Sequence, residues 1–298
     1  MHILADELAD STDGRVTVKF YPGGVAGDER DMLRKIRIGQ LHGAGFTGNG
    51  LGEIVSAVRL LDTPFLFSTI DEYDSVLAAV SDTLKGMFRE QKYELAGWAS
   101  VGMVYLLSKK PIETTDDLKK SRPWVWETDP LAAALFERLG ISPIPLPLPQ
   151  VLTSLQTGVI DVAYVSPTGA VSLQWFTRVS YLTDLPLAHS TGGVIISSSF
   201  LSKLSEHDRN MTLYLFDKHL SLLEPLIREE ENESLQVLRD EGIEFVSVVE
   251  EDIASFHDLG NEIRKELAGK LYPEWLLQTV ERRLAGLRAG DTRQTGDQ

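Results

Sequence analysis

Apolar residues recur at helical intervals from His2 to Ser11, with Ile3, Leu4 and Leu8 along that stretch, and the turn Thr12-Asp13-Gly14 follows. Arg15 to Tyr21 then alternates apolar and polar positions as a strand does, and Pro22-Gly23-Gly24 breaks it. Asp28 to Gly39 resumes helical spacing through Met32, Leu33 and Ile36, with Asp28 placed to cap the free amides of the first turn. Gly43 to Thr47 is small and apolar, like a strand buried on both faces, and it stops at Gly48-Asn49-Gly50. Strand, helix, strand is the rhythm of a βαβ unit.

The rhythm returns after a long helical stretch, Asp71 to Arg89, which leads into the apolar run Glu94 to Ser108, strand material interrupted at Gly102. A second group opens at Pro111: strand Pro123 to Trp126, helix Pro130 to Leu139 closed by Gly140, and an extended stretch from Ile141 to Pro147. Helix Val151 to Thr157 then ends at Gly158, before the strand-like Val159 to Val165. Ser205 to Asp240 is the longest helical stretch, with Leu213, Phe216, Leu220, Leu223 and Ile227 on one side and a kink expected at Pro225. The polar tail Ala289 to Gln298 is expected to fray. These elements predict an α/β protein of two lobes, the first over 1–107 and 194–236, the second over 108–193 and 237–298.

Composition narrows the function more than the fold. With 43% apolar residues among 298, the chain buries a full core. No run approaches the roughly 18 apolar residues that cross a bilayer, so it is not expected to insert in a membrane. A net charge of -15 repels phosphate backbones, and nucleic acid is an unexpected partner. The absence of cysteine removes thiol, disulfide and thiolate-metal chemistry. Six histidines lie in no metal-binding spacing, the Gly-rich pieces match no nucleotide loop, and Ser154 and Ser166 lie in no GxSxG elbow. No metal, no cofactor and no catalytic residue is expected, and the chain does not read as an enzyme.

Two constellations remain open. Ile141 to Pro149 alternates proline with apolar residues, which suits either a rigid connection or a ligand wall that holds Leu146 and Leu148 with little entropy left to lose. Trp124 and Trp126 alternate on one strand and share a face, as core or as an aromatic surface.

Several stretches resemble the solute receptors of TRAP (tripartite ATP-independent periplasmic) transporters. Gly14 to Asp28 looks like that family's early strand and turn, and Gly39-Gln40-Leu41 to Gly45 like its following element. The longest match joins Ser108 to Ile112, Asp117-Leu118-Lys119, Leu139 to Leu146, and Val151 to Asp161, similar in order and spacing to the family's second-lobe signature. The resemblance is good from Gly14 to Phe200 and holds by pattern beyond. It implies a periplasmic-binding-protein-like fold, two α/β lobes joined by crossing strands and a long bracing helix, with a small-molecule ligand held in the cleft and delivered to the membrane permease subunits.

The resemblance also marks departures. The typical member carries an arginine that pairs bidentately with a ligand carboxylate; here Trp124 stands at that position, Met103 at a second basic position, and Leu148 where an aromatic is usual. The expected ligand is therefore hydrophobic or weakly polar, with Trp124, Met103, Leu148, Phe46, Thr47, Phe65, Phe67, Trp126, Tyr164, Ser166 and Trp175 as candidate contacts. Arg122, two residues before Trp124, or backbone amides would instead serve an organic acid. A ligand-gated sensory or interaction module is the third reading. Family members usually have a secretion signal and a strand ahead of the first helix, and neither is evident before His2, while periplasmic placement is what the resemblance implies.

Overall fold

The computed structural model describes residues 2–22, 24–127 and 129–294. The chain forms two compact units, one of 1–55, 83–101 and 191–228, the other of 56–82, 102–190 and 229–298. The segment 56–82, which the sequence reading grouped with the first lobe, belongs to the second unit, where Arg59 and Phe65 are built into the interior. The strands Tyr93–Ser108 and Tyr181–Ser197 and the helix Glu206–Asp240 each run from one unit into the other.

In the first unit, the strand Gly43–Thr47 pairs antiparallel with the C-terminal half of Tyr181–Ser197, Gly43 opposite Ile196 and Thr47 opposite Gly192. Gly192 makes this approach possible: a Cβ there would lie 2.8 Å from the Ala99 carbonyl and 3.1 Å from that of Phe46. The helix Glu29–Arg37 starts as its sequence dictates. Asp28 accepts from the Asp31 amide, acids fill the first turn and bases the last, in line with the helix dipole. Leu4, Ala96, Val194, Ile196, Leu201, Phe216 and Leu220 form the main core of the unit, with Leu213 and Leu223 packed against it. The helix Glu206–Asp240 continues through Pro225.

One expectation fails here. Arg15 to Tyr21 alternates in sequence but forms no strand; Thr17 to Pro22 has no regular secondary structure and no ladder partner among the described residues. A strand exists only by pairing, and the space beside this segment is a groove rather than a neighbour.

In the second unit, Tyr105–Ser108 pairs antiparallel with Val162–Val165, Tyr181–Thr183 parallel with Glu244–Val246, and Trp124–Trp126 parallel with Ile144–Leu146. The strand expected to break at Gly102 instead runs unbroken from Tyr93 to Ser108, with Gly102 at φ +94°, a conformation that favours glycine. Two core clusters fill the unit, one around Phe65, Val125, Phe136 and Phe256, the other around Trp124, Trp175, Leu155 and Leu238. The helix Glu274–Gln294 extends into the tail expected to fray, whose last four residues, 295–298, lie outside the described residues.

Candidate functional site

The strand Trp124–Trp126 follows from its sequence: Pro123 sets an extended entry, and β-favouring residues with an alternating pattern pair with Ile144–Leu146. The same-face alternation brings the Trp124 and Trp126 rings to 6.1 Å. Tyr164 stacks on Trp124 at 4.9 Å, and Trp175 meets it edge-on at 5.5 Å and 84°. These are favourable aromatic geometries, each contributing about 0.5–1.5 kcal/mol beyond area burial. The Trp124 indole N–H donates to the Leu146 carbonyl at 2.9 Å, so the one polar atom of this buried ring is satisfied. Leu148 and Trp126 are half-buried against the same cluster.

Behind the rings lies a chain of buried polar groups. The Trp126 amide donates to the Tyr164 hydroxyl (3.3 Å), which donates to Asp129 Oδ2 (3.0 Å). Asp129 Oδ1 accepts from Arg59 Nη2 (2.7 Å) and from the amides of Leu131 and Ala132, capping the helix Pro130–Arg138. Arg59 Nη1 in turn donates to Asp62 at 2.6 Å. One cation thus sits between two carboxylates, all nine-tenths or more buried. Burial alone would lower the Arg59 pKa; Asp129 and Asp62 outweigh it and hold the guanidinium charged. Burial, reinforced by the Asp129 carboxylate, pushes the Tyr164 phenol well above its ordinary value of 10.0.

The other candidates are dispersed. Met103 is buried and its amide donates to Glu231 at 2.7 Å, but it is not among the aromatic cluster's residues. Phe65 belongs to the neighbouring core, 5.6 Å from Phe256, with its amide on the Leu187 carbonyl. Phe67 packs edge-on to Tyr73, which stacks on His189. Ser166 caps the helix Pro167–Ser172. Arg122 precedes the strand, exposed, with its Nε on Asp161 at 3.0 Å and its amide on the same carboxylate. Phe46 and Thr47 lie in the first unit, where Phe46 is buried and Thr47 hydrogen-bonds Glu29 and caps the next turn. Of the twelve, the structure gathers Trp124, Trp126, Tyr164, Trp175 and Leu148.

Sequence reasoning missed Arg59, Asp62 and Asp129. The signal was present: Arg59 interrupts the apolar run Ala57 to Leu61, and a charge in such a run needs a buried partner. Its partner 70 residues away was not readable. Among the described residues no three His, Asp or Glu side chains converge on a metal-holding point, and no helix is long and apolar enough to cross a membrane.

The family model "DctP: Bacterial extracellular solute-binding protein, family 7" matches residues 2–270. The 2,3-diketo-L-gulonate-binding periplasmic protein YiaO of Escherichia coli is 27% identical over 271 residues, covering 88% of this chain and 81% of YiaO. The ectoine-binding periplasmic protein TeaA of Halomonas elongata is 24% identical over 278 residues, 88% of this chain and 79% of TeaA. In fold, the chain is similar to a TRAP periplasmic solute binding protein from Chromohalobacter salexigens with bound D-glucuronate, at a TM-score of 0.86 and 24% identity, covering 95% of this chain and 93% of that one. A TRAP periplasmic solute binding protein from Desulfovibrio salexigens with bound orotic acid gives a TM-score of 0.87 at 20% identity, over 95% and 92%. By a match that runs over most of its length, the chain belongs to the DctP family of bacterial extracellular solute-binding proteins, the receptors of TRAP transporters.

Proposed function

We propose that this receptor works in the periplasm, binds a hydrophobic or weakly polar small molecule against the aromatic cluster of its second unit, and passes it to TRAP permease subunits. The observation that carries the reading is the pairing of the local cations. Arg59 is held by Asp62 and Asp129, and Arg122 by Asp161. A ligand carboxylate in place of those partners would have to displace a carboxylate already hydrogen-bonded, whereas a hydrocarbon needs only covered apolar area, about 25 cal/mol per Å2. Trp126, Leu146 and Leu148, half-buried on the cluster, are the side chains left to cover such a ligand. Trp124, 1% exposed, supports them from within. Phe46, Thr47, Phe65, Phe67, Met103 and Ser166 then serve packing and capping rather than the ligand. A receptor's work needs no bond-breaking residue, and the role proposed is transport, not catalysis.

The ligands named for similar proteins favour a second reading. YiaO is named for a sugar acid, and the two solved structures hold D-glucuronate and orotic acid. An organic acid here would recruit Arg122 away from Asp161. A thermal-shift series with long-chain fatty acids, D-glucuronate and orotic acid separates the two, since a ligand at 100 times its Kd stabilises by about 2.7 kcal/mol. The apolar reading expects a shift with the fatty acids and none with the other two. A shift with the short acids alone, abolished in Arg122→Ala, overturns it in favour of the acid.

A further inference from the structure

Phe65 stands at φ +55°, a left-handed conformation that a bulky side chain adopts only where its surroundings impose it. Strain of this kind persists when neighbouring groups over-determine the backbone, and it gathers where a protein needs one fixed geometry. Three hydrogen bonds hold this turn, all from within the second unit. Arg264 Nη1 donates to the Pro64 carbonyl at 2.7 Å, the Phe65 amide donates to the Leu187 carbonyl at 2.7 Å, and Arg288 Nη2 donates to the Leu66 carbonyl at 3.0 Å. The helix Glu250–Leu267 is shaped to the turn. Its Phe256, Gly260 and Arg264 recur every four residues and share one face. The Phe256 ring lies 5.6 Å from that of Phe65, and Gly260 permits the close approach, since a Cβ there would lie 2.5 Å from the Pro64 oxygen.

Arg264 is the costly member of that face. It is 6% exposed, yet it donates only to neutral oxygens, those of Pro64 and of the Asn261 side chain, and its Nε has no partner among the described residues. Burial depresses its pKa, the opposite of Arg59, whose two carboxylates outweigh burial. For packing alone, a hydrocarbon side chain would fill this place without the desolvation of a guanidinium. What the guanidinium adds is a directed bond to one turn carbonyl. The turn it grips begins inside the polar network. Asp62, two residues before Pro64, accepts from Arg59, and Arg59 also reaches Asp129, the acceptor of the Tyr164 hydroxyl; the Tyr164 ring stacks on Trp124.

We propose that Arg264 is a positioning residue of the aromatic cluster: by holding the Pro64 carbonyl it keeps Phe65 left-handed, fixes Asp62, and through Arg59 and Asp129 sets Tyr164 against Trp124. That this cluster meets the ligand rests on the function proposed above, and the two are tested by separate readouts.

Arg264→Met keeps the packed stem and removes the donors. Gly260→Ala attacks the same bond from the other side, displacing the Pro64 oxygen while Arg264 stays; alanine favours a helix over glycine, so a loss there does not come from helix propensity. Ile253→Ala, a truncation on the same helix against the same core, is the control for lost packing. The first readout is exchange of the Trp126 amide, which donates to Tyr164, in the full chain at temperatures equally far below each Tm. Arg264→Met and Gly260→Ala are each expected to speed it about tenfold or more beyond Ile253→Ala, and Arg264→Lys, which restores a donor, to bring it back to within about threefold of wild type. An acceleration no larger than that of Ile253→Ala in either variant, or no recovery with lysine, overturns the positioning role; if Arg264→Met does not fold, Gly260→Ala decides. The second readout is palmitate affinity, expected to fall about tenfold in Arg264→Met and to hold in Ile253→Ala. Equal losses in the two overturn the link from Arg264 to the ligand. A wild type that binds no palmitate overturns the apolar ligand instead, and the exchange comparison then decides the role of Arg264.

Discussion

The two units solve the same problem of the buried polar group in opposite ways. In the second unit the difficult groups are side chains, and they are answered from within: Arg59 by Asp62 and Asp129, the Tyr164 hydroxyl by Asp129, the Trp124 indole by the Leu146 carbonyl. In the first unit a groove is lined by Thr17 to Tyr21, which has no ladder partner among the described residues, and by Gly43 to Gly45 of the strand at one end of the sheet order. Ion pairs there lie nearer solvent, as with Lys218 and Glu7 or Arg15 and Asp13. A side-chain network is completed by other side chains of the unit, whereas a sheet edge is completed only by another strand. The second unit should therefore respond sharply to single substitutions of its network.

The largest effect is expected at Asp129. Asp129→Ala removes the shared acceptor of Arg59, Tyr164 and the amides of Leu131 and Ala132, leaving a guanidinium buried with one carboxylate. Breaking a buried pair in this way costs about 3–5 kcal/mol. Urea unfolding measures it, and Asp129→Asn, which keeps an acceptor oxygen and loses the charge, should fall between wild type and Ala. A loss below about 1 kcal/mol for Asp129→Ala would dissolve the contrast between the units.

Gly102→Ala should follow. The residue sits at φ +94°, and a Cβ there would lie 3.0 Å from the carboxyl carbon of buried Glu231, whose Oε1 holds the Met103 amide. Backbone strain at such a position costs about 1–3 kcal/mol, read as a lower urea midpoint.

What sequence made legible follows from the range of each signal. The helix Glu29–Arg37 was readable from Asp28 and its apolar spacing, the end of Val151–Thr157 from Gly158, and Gly43–Thr47 from its small apolar run, because caps and periodicity act over a few residues. Arg15 to Tyr21 misled because alternation reports which faces a strand would present, not whether a neighbour is there to pair with it. At the candidate site, the facing of Trp124 and Trp126 followed from a two-residue repeat, but their union with Tyr164 and Trp175, and the Arg59–Asp129 pair, depend on chain folding across tens of residues. Pairings of that kind leave no period in one sequence.

Alkaline pH should act on the second unit. Burial is the first cause in raising Tyr164, Tyr105 and Tyr272, and it pushes Tyr105 up to about 12. Unfolded, these phenols ionise near 10, so between pH 10 and each folded value the unfolded chain loses protons that the folded chain keeps. The stability these groups contribute is complete below pH 10 and is lost as pH rises through the folded values. The urea midpoint should accordingly fall between pH 10 and 12, and Tyr164→Phe should make that fall shallower. An unchanged slope in Tyr164→Phe would remove Tyr164 as a source.

Acid should produce the smallest of these effects, through the first unit's Glu7. Hydrogen bonds from Lys218 and His219, both 2.6 Å, lower the Glu7 pKa below its ordinary 4.5. For a carboxylate whose folded pKa is depressed, the contribution to stability is present above 4.5 and lost as pH falls through the lower folded value. Solvent reaches this cluster, so salt screens it, in contrast to the Arg59 network. Glu7→Gln should lower Tm slightly at pH 7, the difference from wild type should shrink toward pH 3, and 0.5 M NaCl should shrink it at pH 7 as well, while leaving the Asp129→Ala difference nearly unchanged. If salt diminished both differences alike, the distinction between a solvated pair in one unit and a buried network in the other would fail at its simplest test.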